Sequence, residues 1–188
     1  MVHHGLDDAY WVGHSLGGKV AMELALCSPG RVRALVVADI APVAYPPRHA
    51  DVFAALEAVE AAPCSSRQEA AQRMAEHIDE EGVVQFLLTS LRRADDGSFG
   101  WRFNLKGLRS GYDKLIGSPS GADPFQGPVQ FIKGGDSDYV LEDHRHHILS
   151  LFPQAELKVM PGCGHWLHAE RPRLFNNLVG RFLDAQAG

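Results

Sequence analysis

The chain has 188 residues, a formal net charge of −5 at pH 7 and an apolar fraction of 45%, which predicts an ordinary globular protein with a hydrophobic core. The net charge is mildly negative, so the composition gives no sign of the basic surface that binds nucleic acid. No apolar run approaches the roughly 18 residues of a membrane-spanning helix. The three cysteines are an odd and widely spaced set, so we expect no disulfide framework and a reducing, cytoplasmic environment.

Strand and helix signals alternate at the start of the chain. Residues 9–13 (AYWVG) form a short apolar run, and residues 16–28 (LGGKVAMELALCS) have helical composition up to Pro29-Gly30. Residues 33–39 (RALVVAD) are nearly all apolar and β-branched, which is typical of a parallel strand buried on both faces. Strand, helix and strand within about 30 residues predict a βαβ unit of an α/β sheet.

The middle of the chain, 42–125, has a different pattern. Ser66 and Glu69 form a capping box ahead of one predicted helix, and Asp95-Asp96-Gly97 marks a turn. Further helices are predicted at 51–62, 81–93 and 104–116. A block of helices inserted into an α/β chain indicates a cap on the sheet.

Strand and helix signals alternate again over 126–188. Strands are predicted at 129–133 and 156–160, and helices at 143–152 and 171–185, the second with Pro172 near its first turn. The chain is therefore divided into a core of residues 1–41 and 126–188 and a helical cap of residues 42–125. The predicted fold class is α/β, with a mostly parallel sheet and helices on both of its faces.

A G-x-S-x-G motif, Gly13-His14-Ser15-Leu16-Gly17, lies between the first strand and the first helix. The turn between these elements is so tight that Ser15 is expected to have a strained backbone, with only glycine tolerated at Gly13 and Gly17. Such a turn exposes the serine hydroxyl at the carboxyl end of the strand. The N–H of Leu16, at the start of the helix, would then point at negative charge on a substrate oxygen.

A serine nucleophile needs a base, and the base needs an acid that orients it. His165 is the predicted base, because it lies on a glycine-rich loop between the last strand and the last helix. Three carboxylates at strand ends are candidates for the acid: Asp39, Asp136 and Asp138. The side chain of His14 is expected to point away from the serine hydroxyl, and His168 is expected to be structural.

No metal site is predicted. His144, His146 and His147 look like the surface of a predicted helix, and no carboxylate or cysteine accompanies them at ligand spacing. No organic cofactor is implied by any motif.

Several segments together resemble the ybfF-type bacterial esterases of the α/β-hydrolase superfamily, through nearly the whole chain and in the same order. The segments that carry this resemblance are GHSLGGKVAMELAL, LVVADIAPVAYPPRHADVFAAL, EEGVVQFLLTSL, WRFN, GGDSDYV and GHWLHAERP. In that group the acid lies in a D-I-[AS]-P-V segment, so the resemblance favours Asp39. It places Ser137 where the superfamily usually has the acid, between the alternatives Asp136 and Asp138.

The resemblance implies a serine hydrolase that cleaves carboxylic esters or acyl thioesters through an acyl-enzyme, with a small acyl ester or an acyl-CoA as substrate. Apolar and aromatic side chains are expected to line an acyl pocket: Tyr45, Phe53, Phe86, Trp101 and Trp166.

The resemblance also predicts that the chain is N-terminally truncated. A complete fold of this type has several strands before the serine, and one of the loops among them supplies a second oxyanion donor. His4-Gly5 does not match that loop, because no strand precedes it. The alternative to an active hydrolase is therefore an inactive fragment or a non-catalytic binding protein. Self-association is expected through the exposed sheet edge beside the serine-bearing strand.

Overall fold

The computed structural model describes residues 3, 5–95, 97–121 and 123–187. These residues divide into two compact units. The first unit comprises residues 1–45 and 117–188, and the second comprises residues 46–116. The second unit is thus shorter at both ends than the helical segment predicted at 42–125.

The first unit is built on a parallel sheet of four strands. In chain order they are β1 (Ala9–His14), β2 (Val32–Ala38), β5 (Val129–Gly134) and β6 (Ala155–Met160), and they lie side by side in that order. All three pairings are parallel. The helices of this unit are α1 (Leu16–Cys27), α6 (Arg145–Leu151), α7 (Leu167–Glu170) and α8 (Pro172–Ala185), with single 3₁₀ turns at Pro29–Arg31 and Glu142–His144.

Apolar clusters cover both faces of this sheet. On one face, Leu35 and Val37 of β2 pack with Met22 of α1 and Phe131 of β5. On the other face, Val36 packs with Ile132, Met160 and Leu167, and partly buried side chains of α8 cover this second cluster: Phe175, Leu178, Val179, Phe182 and Leu183. Successive residues of β2 therefore face opposite layers, which confirms the prediction of a strand buried on both sides.

The second unit is mainly helical. It contains α2 (Ala50–Glu60), α3 (Arg67–Ala75), α4 (Glu81–Leu88) and α5 (Leu105–Leu115), together with a hairpin of β3 (Leu91–Arg93) and β4 (Phe99–Trp101). The predicted cap of α3 is present, because Ser66 Oγ accepts a hydrogen bond from the N–H of Glu69. Its core brings together buried residues such as Leu56, Met74, Val84 and Leu91.

The hairpin corrects one prediction. A helix was expected over 81–93, but it ends at Leu88, and Leu91–Arg93 form a strand. Thr89 donates its hydroxyl to the carbonyl of Phe86, and the guanidinium of Arg67 donates to the carbonyls of Leu88 and Leu91, so side chains satisfy groups that a longer helix would have bonded internally. Gly97 has a φ of 87° in the connecting turn. Asp96, which was predicted in this turn, lies outside the described residues.

Within the described ranges, no helix combines the length and the apolar character that crossing a membrane requires.

Candidate active site

Ser15 occupies the turn between β1 and α1, with a φ of 52° and a ψ of −120°. A positive φ is costly for a residue with a side chain, so the predicted strain is present at this serine. The N–H of Ser15 donates to the carbonyl of Ala38 on the neighbouring strand at 2.9 Å. This bond ties the turn to the carboxyl end of β2, where Asp39 begins the following loop.

Two glycines allow α1 to pass close to the sheet. A Cβ atom added at Gly13 would lie 2.3 Å from the carbonyl oxygen of Gly17. A Cβ atom at Gly18 would lie 2.5 Å from Cγ2 of Ile40. Both distances are far below a van der Waals contact, so these positions require glycine.

The requirement predicted for Gly17 was wrong. A Cβ atom at this position would meet no other atom within 4 Å, apart from its own helix backbone and chain neighbours. It is the backbone of residue 17, not its lack of a side chain, that crowds Gly13. The close approach between helix and sheet is made one residue later, at Gly18.

His165 links Ser15 to Asp39. Its Nε2 lies 2.9 Å from Oγ of Ser15, and its Nδ1 lies 2.8 Å from Oδ2 of Asp39. A carboxylate at Nδ1 accepts the ring N–H, which leaves Nε2 free of hydrogen and able to accept the serine proton. The ring of Tyr139 stacks on the imidazole with centroids 4.0 Å apart, which further restricts its orientation. Hydrogen bonds thus connect Ser15, His165 and Asp39. A proton can pass from Ser15 to His165, whose other ring nitrogen faces the carboxylate of Asp39.

The carboxylate of Asp39 is completely buried and well supplied with donors. Its Oδ1 accepts the N–H of Gly134 at 2.9 Å, and its Oδ2 accepts both Ser137 Oγ–H and the imidazole of His165. Asp39 itself has a φ of 49°, and its N–H donates to the carbonyl of Ile132. A buried carboxylate needs hydrogen-bond donors in place of the water it has lost, and the end of β5 and the loop after it supply two of them to Asp39.

The alternative acids lie on either side of Ser137. The N–H of Asp136 donates to the carbonyl of Cys163 at 3.0 Å, which ties the loop after β5 to the loop that carries His165. The structure therefore brings Asp39 to Nδ1 of His165, and the residue between Asp136 and Asp138 contributes a hydroxyl donor to Asp39.

Leu16 is the first residue of α1. The first N–H groups of a helix have no acceptor within it, and they lie at the positive end of the helix dipole. The N–H of Leu16 is thus chemically suited to receive a negative oxygen next to Ser15. For the His4-Gly5 pair, His4 lies outside the described residues.

His14 has a role that the sequence did not reveal. Its Nε2 donates to the backbone carbonyl of His165 at 2.8 Å, and its ring lies 4.7 Å from the His165 ring and 4.4 Å from the His168 ring, measured between centroids. Burial is the main cause that lowers the pKa of His14 to about 4, and the neighbouring imidazoles of His165 and His168 contribute to the same shift. His14 is thus neutral near pH 7. Its hydrogen bond holds the main chain at His165, the residue that bonds to Ser15.

Lys19 was also missed. Although it is charged near neutral pH, its side chain is buried, and burial lowers the pKa of its amine to about 8. The amine donates to the carbonyl of Gly117 at 2.6 Å and to the carbonyl of Val43, and it lies 4.9 Å from the ring centroid of Tyr45. Val43 and Tyr45 lie where the chain leaves the first unit, and Gly117 lies where it returns. The side chain of Lys19 therefore holds both of these segments against α1.

The residues predicted to line an acyl pocket have different environments. The hydroxyl of Tyr45 accepts the N–H of Ala41 at 2.9 Å and donates to the carbonyl of Tyr139. Phe53 and Trp101 belong to the buried core of the second unit, where Phe86 has a surface position with 43% exposure. Trp166 follows His165, and their ring centroids lie 5.7 Å apart.

No group of three or more histidine, cysteine or acidic side chains has the geometry of a metal site in the part of the chain that the structure describes.

Comparisons with known proteins agree in pointing to one family. The profile of the alpha/beta hydrolase family matches residues 2–178. The Escherichia coli (strain K12) protein "Esterase YbfF" is 42% identical over 180 residues, which are 95% of this chain and 68% of that protein. The Mus musculus protein "sn-1-specific diacylglycerol lipase ABHD11" is 43% identical over 185 residues, which are 95% of this chain and 60% of that protein.

A solved structure is also similar. A "Marine microorganism esterase" superposes with a TM-score of 0.88 at 33% identity, covering 96% of this chain and 72% of that one. The chain thus spans between about three fifths and three quarters of the length of these relatives.

Proposed function

Since the chain belongs to the alpha/beta hydrolase family, we propose that it cleaves carboxylic esters with Ser15 as nucleophile, His165 as general base and Asp39 as the orienting acid. Two of the relatives described above are esterases and one is a lipase, which supports an ester hydrolase of the kind that the sequence predicts. The observation that carries the proposal is the double hydrogen bond of His165, to Ser15 at 2.9 Å and to Asp39 at 2.8 Å.

Acylation begins when Oγ of Ser15 attacks the carbonyl carbon of the ester while Nε2 of His165 takes the hydroxyl proton. The carbonyl oxygen becomes negative in the tetrahedral intermediate. The imidazolium is stabilised by the Asp39 carboxylate, which keeps its own charge. The C–O bond to the leaving group then breaks, and Nε2 returns the proton to the departing alcohol, leaving an ester on Ser15.

Deacylation repeats these steps with water as the nucleophile. Nε2 of His165 removes one proton from water, the oxygen attacks the acyl carbon, and Oγ of Ser15 leaves with that proton. The products are a carboxylic acid and the regenerated enzyme.

The N–H of Leu16 is the oxyanion donor that we assign to this chain. It lies at the start of α1, directly after Ser15, where the helix dipole favours negative charge. Removing one such donor from a serine hydrolase slows the reaction by roughly 10²- to 10³-fold, so its contribution is substantial.

We assign a small acyl ester as substrate, with an acyl-CoA thioester as the alternative. Both present a carbonyl that a serine can attack, and they differ in the leaving group. Trp166 is the predicted pocket residue whose ring lies next to that of His165. The remaining pocket residues, Tyr45, Phe53, Phe86 and Trp101, stay predictions.

The cytoplasmic location predicted from cysteine usage is also retained as a proposal. Cys27, Cys64 and Cys163 form no disulfide, and two of them are buried. Such a pattern fits a reducing compartment. We also propose self-association through an edge of the sheet.

The experiment compares the wild-type chain with Ser15→Ala on p-nitrophenyl acetate, p-nitrophenyl butyrate and acetyl-CoA. We expect hydrolysis by the wild type and a fall in kcat of roughly 10⁴-fold or more in the variant, because the nucleophile is gone. The ratio of ester to thioester turnover identifies the substrate class. Equal, near-zero turnover by both proteins, with unchanged circular dichroism, would favour the non-catalytic alternative.

A further inference from the structure

The outer edge of β6 has unusual side chains for a strand at the end of a sheet. Leu157 and Val159 are each 50% exposed, although a central strand would bury such residues. Glu156 and Lys158 alternate with them and form an ion pair at 3.2 Å on the opposite face. In the described ranges, β5 is the one strand that pairs with β6.

The backbone groups that point to this outer edge can be identified. The carbonyl of Met160 accepts the N–H of Gly135 at 2.9 Å, so Met160 points toward β5. Because backbone groups alternate in direction along a strand, Lys158 and Glu156 also point toward β5, while Leu157 and Val159 point away from it. The N–H and C=O groups of Leu157 and Val159 are thus directed to the outside of the sheet.

We propose that this edge binds a second copy of the chain, with the two β6 strands antiparallel and the twofold axis at Leu157. In this register Leu157 faces Leu157 of the second copy and exchanges both backbone hydrogen bonds with it. Val159 faces Ala155 of the second copy. Glu156 faces Lys158 of the second copy, and Lys158 faces its Glu156, so the strand is complementary to itself.

The charged pairs occupy the favourable positions of this arrangement. Leu157 forms the hydrogen-bonded pair, so Glu156 and Lys158 fall at non-hydrogen-bonded pairs, where side chains approach more closely. Opposite charges at such positions stabilise an antiparallel pair, and like charges destabilise it. Moving the twofold axis by one residue, to Glu156 or to Lys158, would place Glu156 opposite Glu156 or Lys158 opposite Lys158 and would break the pattern.

The apolar face next to β6 supports the same partner. Leu141, Leu149 and Leu157 line a groove of about 300 Å³ between the strand and α6, and the first two are 45% and 39% exposed. The twofold axis would bring this groove next to its own counterpart. A sheet that continues from one copy into the other would cover the apolar surface that extends beyond β6.

The other outer strand, β1, was the edge expected from the sequence to self-associate. Its residues Ala9–His14 carry no pair of opposite charges that would select a register. The charge pattern therefore favours β6 over β1 as the interface.

The test measures the dissociation constant of the full chain by sedimentation velocity over a range of concentrations. Lys158→Glu places two acids opposite two acids, and Glu156→Lys places two lysines opposite two lysines. We expect either change to raise the dissociation constant roughly ten-fold or more, because two attractive pairs become repulsive. Lys106→Glu, at an exposed position of α5, is the control for Lys158→Glu, because it changes the net charge by the same amount.

Two further samples make the test specific for the register. The double variant with Glu156→Lys and Lys158→Glu restores opposite charges and should regain the wild-type dissociation constant. An equimolar mixture of the two single variants should form a heterodimer. A wild-type chain that stays monomeric, or single variants that dimerise as well as the control, would overturn the proposal. Circular dichroism checks that each variant is folded.

Discussion

Ser137, which follows β5, donates its hydroxyl hydrogen bond to the carboxylate of Asp39, which follows β2. The loop after β5, where the superfamily that this chain resembles usually has its acid, thus supports a carboxylate that follows the neighbouring strand. Gly134 donates its N–H to the same carboxylate at 2.9 Å, and His165 approaches it at 2.8 Å. The end of β5, the loop that follows it and one histidine therefore converge on a single buried carboxylate.

The first prediction concerns the identity of the acid. Asp39→Asn removes the charge that stabilises the imidazolium and presents an amide to Nδ1 of His165, so we expect kcat to fall by roughly 10³- to 10⁴-fold. Asp136→Asn and Asp138→Asn, on the loop that carries Ser137, are the matched controls and should change kcat by less than about three-fold. Steady-state hydrolysis of p-nitrophenyl butyrate measures all three. A large loss in Asp136→Asn or Asp138→Asn with a small one in Asp39→Asn would reverse the assignment.

The second prediction compares two glycines of the serine motif. Gly13→Ala places a methyl group 2.3 Å from the carbonyl oxygen of Gly17, which must move, so we expect a loss of about 2 kcal/mol or more in the free energy of unfolding. Gly17→Ala places its methyl group in open space near the start of α1, and alanine favours the helix, so stability should be unchanged or higher by up to about 1 kcal/mol. Urea unfolding followed by circular dichroism distinguishes the two. Equal losses would contradict the packing described for this turn.

The third prediction follows from the lowered pKa of His14. Its pKa is about 4 in the folded chain and 6.5 for an ordinary histidine, so between these values the unfolded state binds a proton that the folded state does not. Folding is therefore destabilised as the pH falls from about 6.5 to about 4, by about 3 kcal/mol. Burial opposes protonation of His14 most strongly, and the imidazoles of His165 and His168 add to this effect. The hydrogen bond to the carbonyl of His165 and the charge of Asp39 favour protonation.

His14→Gln tests this dependence. Glutamine retains an N–H donor for the carbonyl of His165 but does not titrate, so the part of the pH dependence due to His14 should disappear. Urea unfolding of both proteins at pH 7.5 and at pH 4.5 gives the comparison, and the remaining histidines are common to both. A difference in stability between the two proteins that is the same at each pH would show that His14 does not carry the effect.

The fourth prediction concerns Lys19. Lys19→Met removes the donor that serves the carbonyls of Val43 and Gly117, and both carbonyls lose a charged partner. We expect the free energy of unfolding at pH 7 to fall by about 2–3 kcal/mol, because the lost hydrogen bonds involve a charged donor. Lys106→Met, at an exposed position of α5, should have little effect. A gain in stability would mean that the cost of burying the charge exceeds the value of these bonds.

Much of the fold could be predicted because its signals are local. The apolar runs of β2, β5 and β6 and the helical patterns of α1 and α8 lie where they were expected. The prediction failed at residues 91–93, where helical composition continues into a strand. That strand depends on pairing with β4 across a turn and on Arg67, which lies 24 residues before Leu91 in the sequence.

The sequence by itself was enough to predict Ser15 and His165 as site residues and to predict the alternation of strands and helices around them. A strained turn between strand and helix, and a glycine-rich loop before a last helix, are patterns that short segments carry alone. Three carboxylates remained as candidates from the residues alone, because each follows a strand whose carboxyl end lies at the same edge of a parallel sheet.

Only the tertiary structure decided which carboxylate meets His165 and which residues support it. The strand order places β2 directly between β1 and β5, so Asp39 lies within reach of both the serine turn and the loop that contains Ser137. The contacts of His14, Gly18 and Lys19 likewise depend on segments that the sequence separates. The energies of these contacts depend on distances between atoms in the folded chain, and the spacing of residues along the sequence does not give those distances.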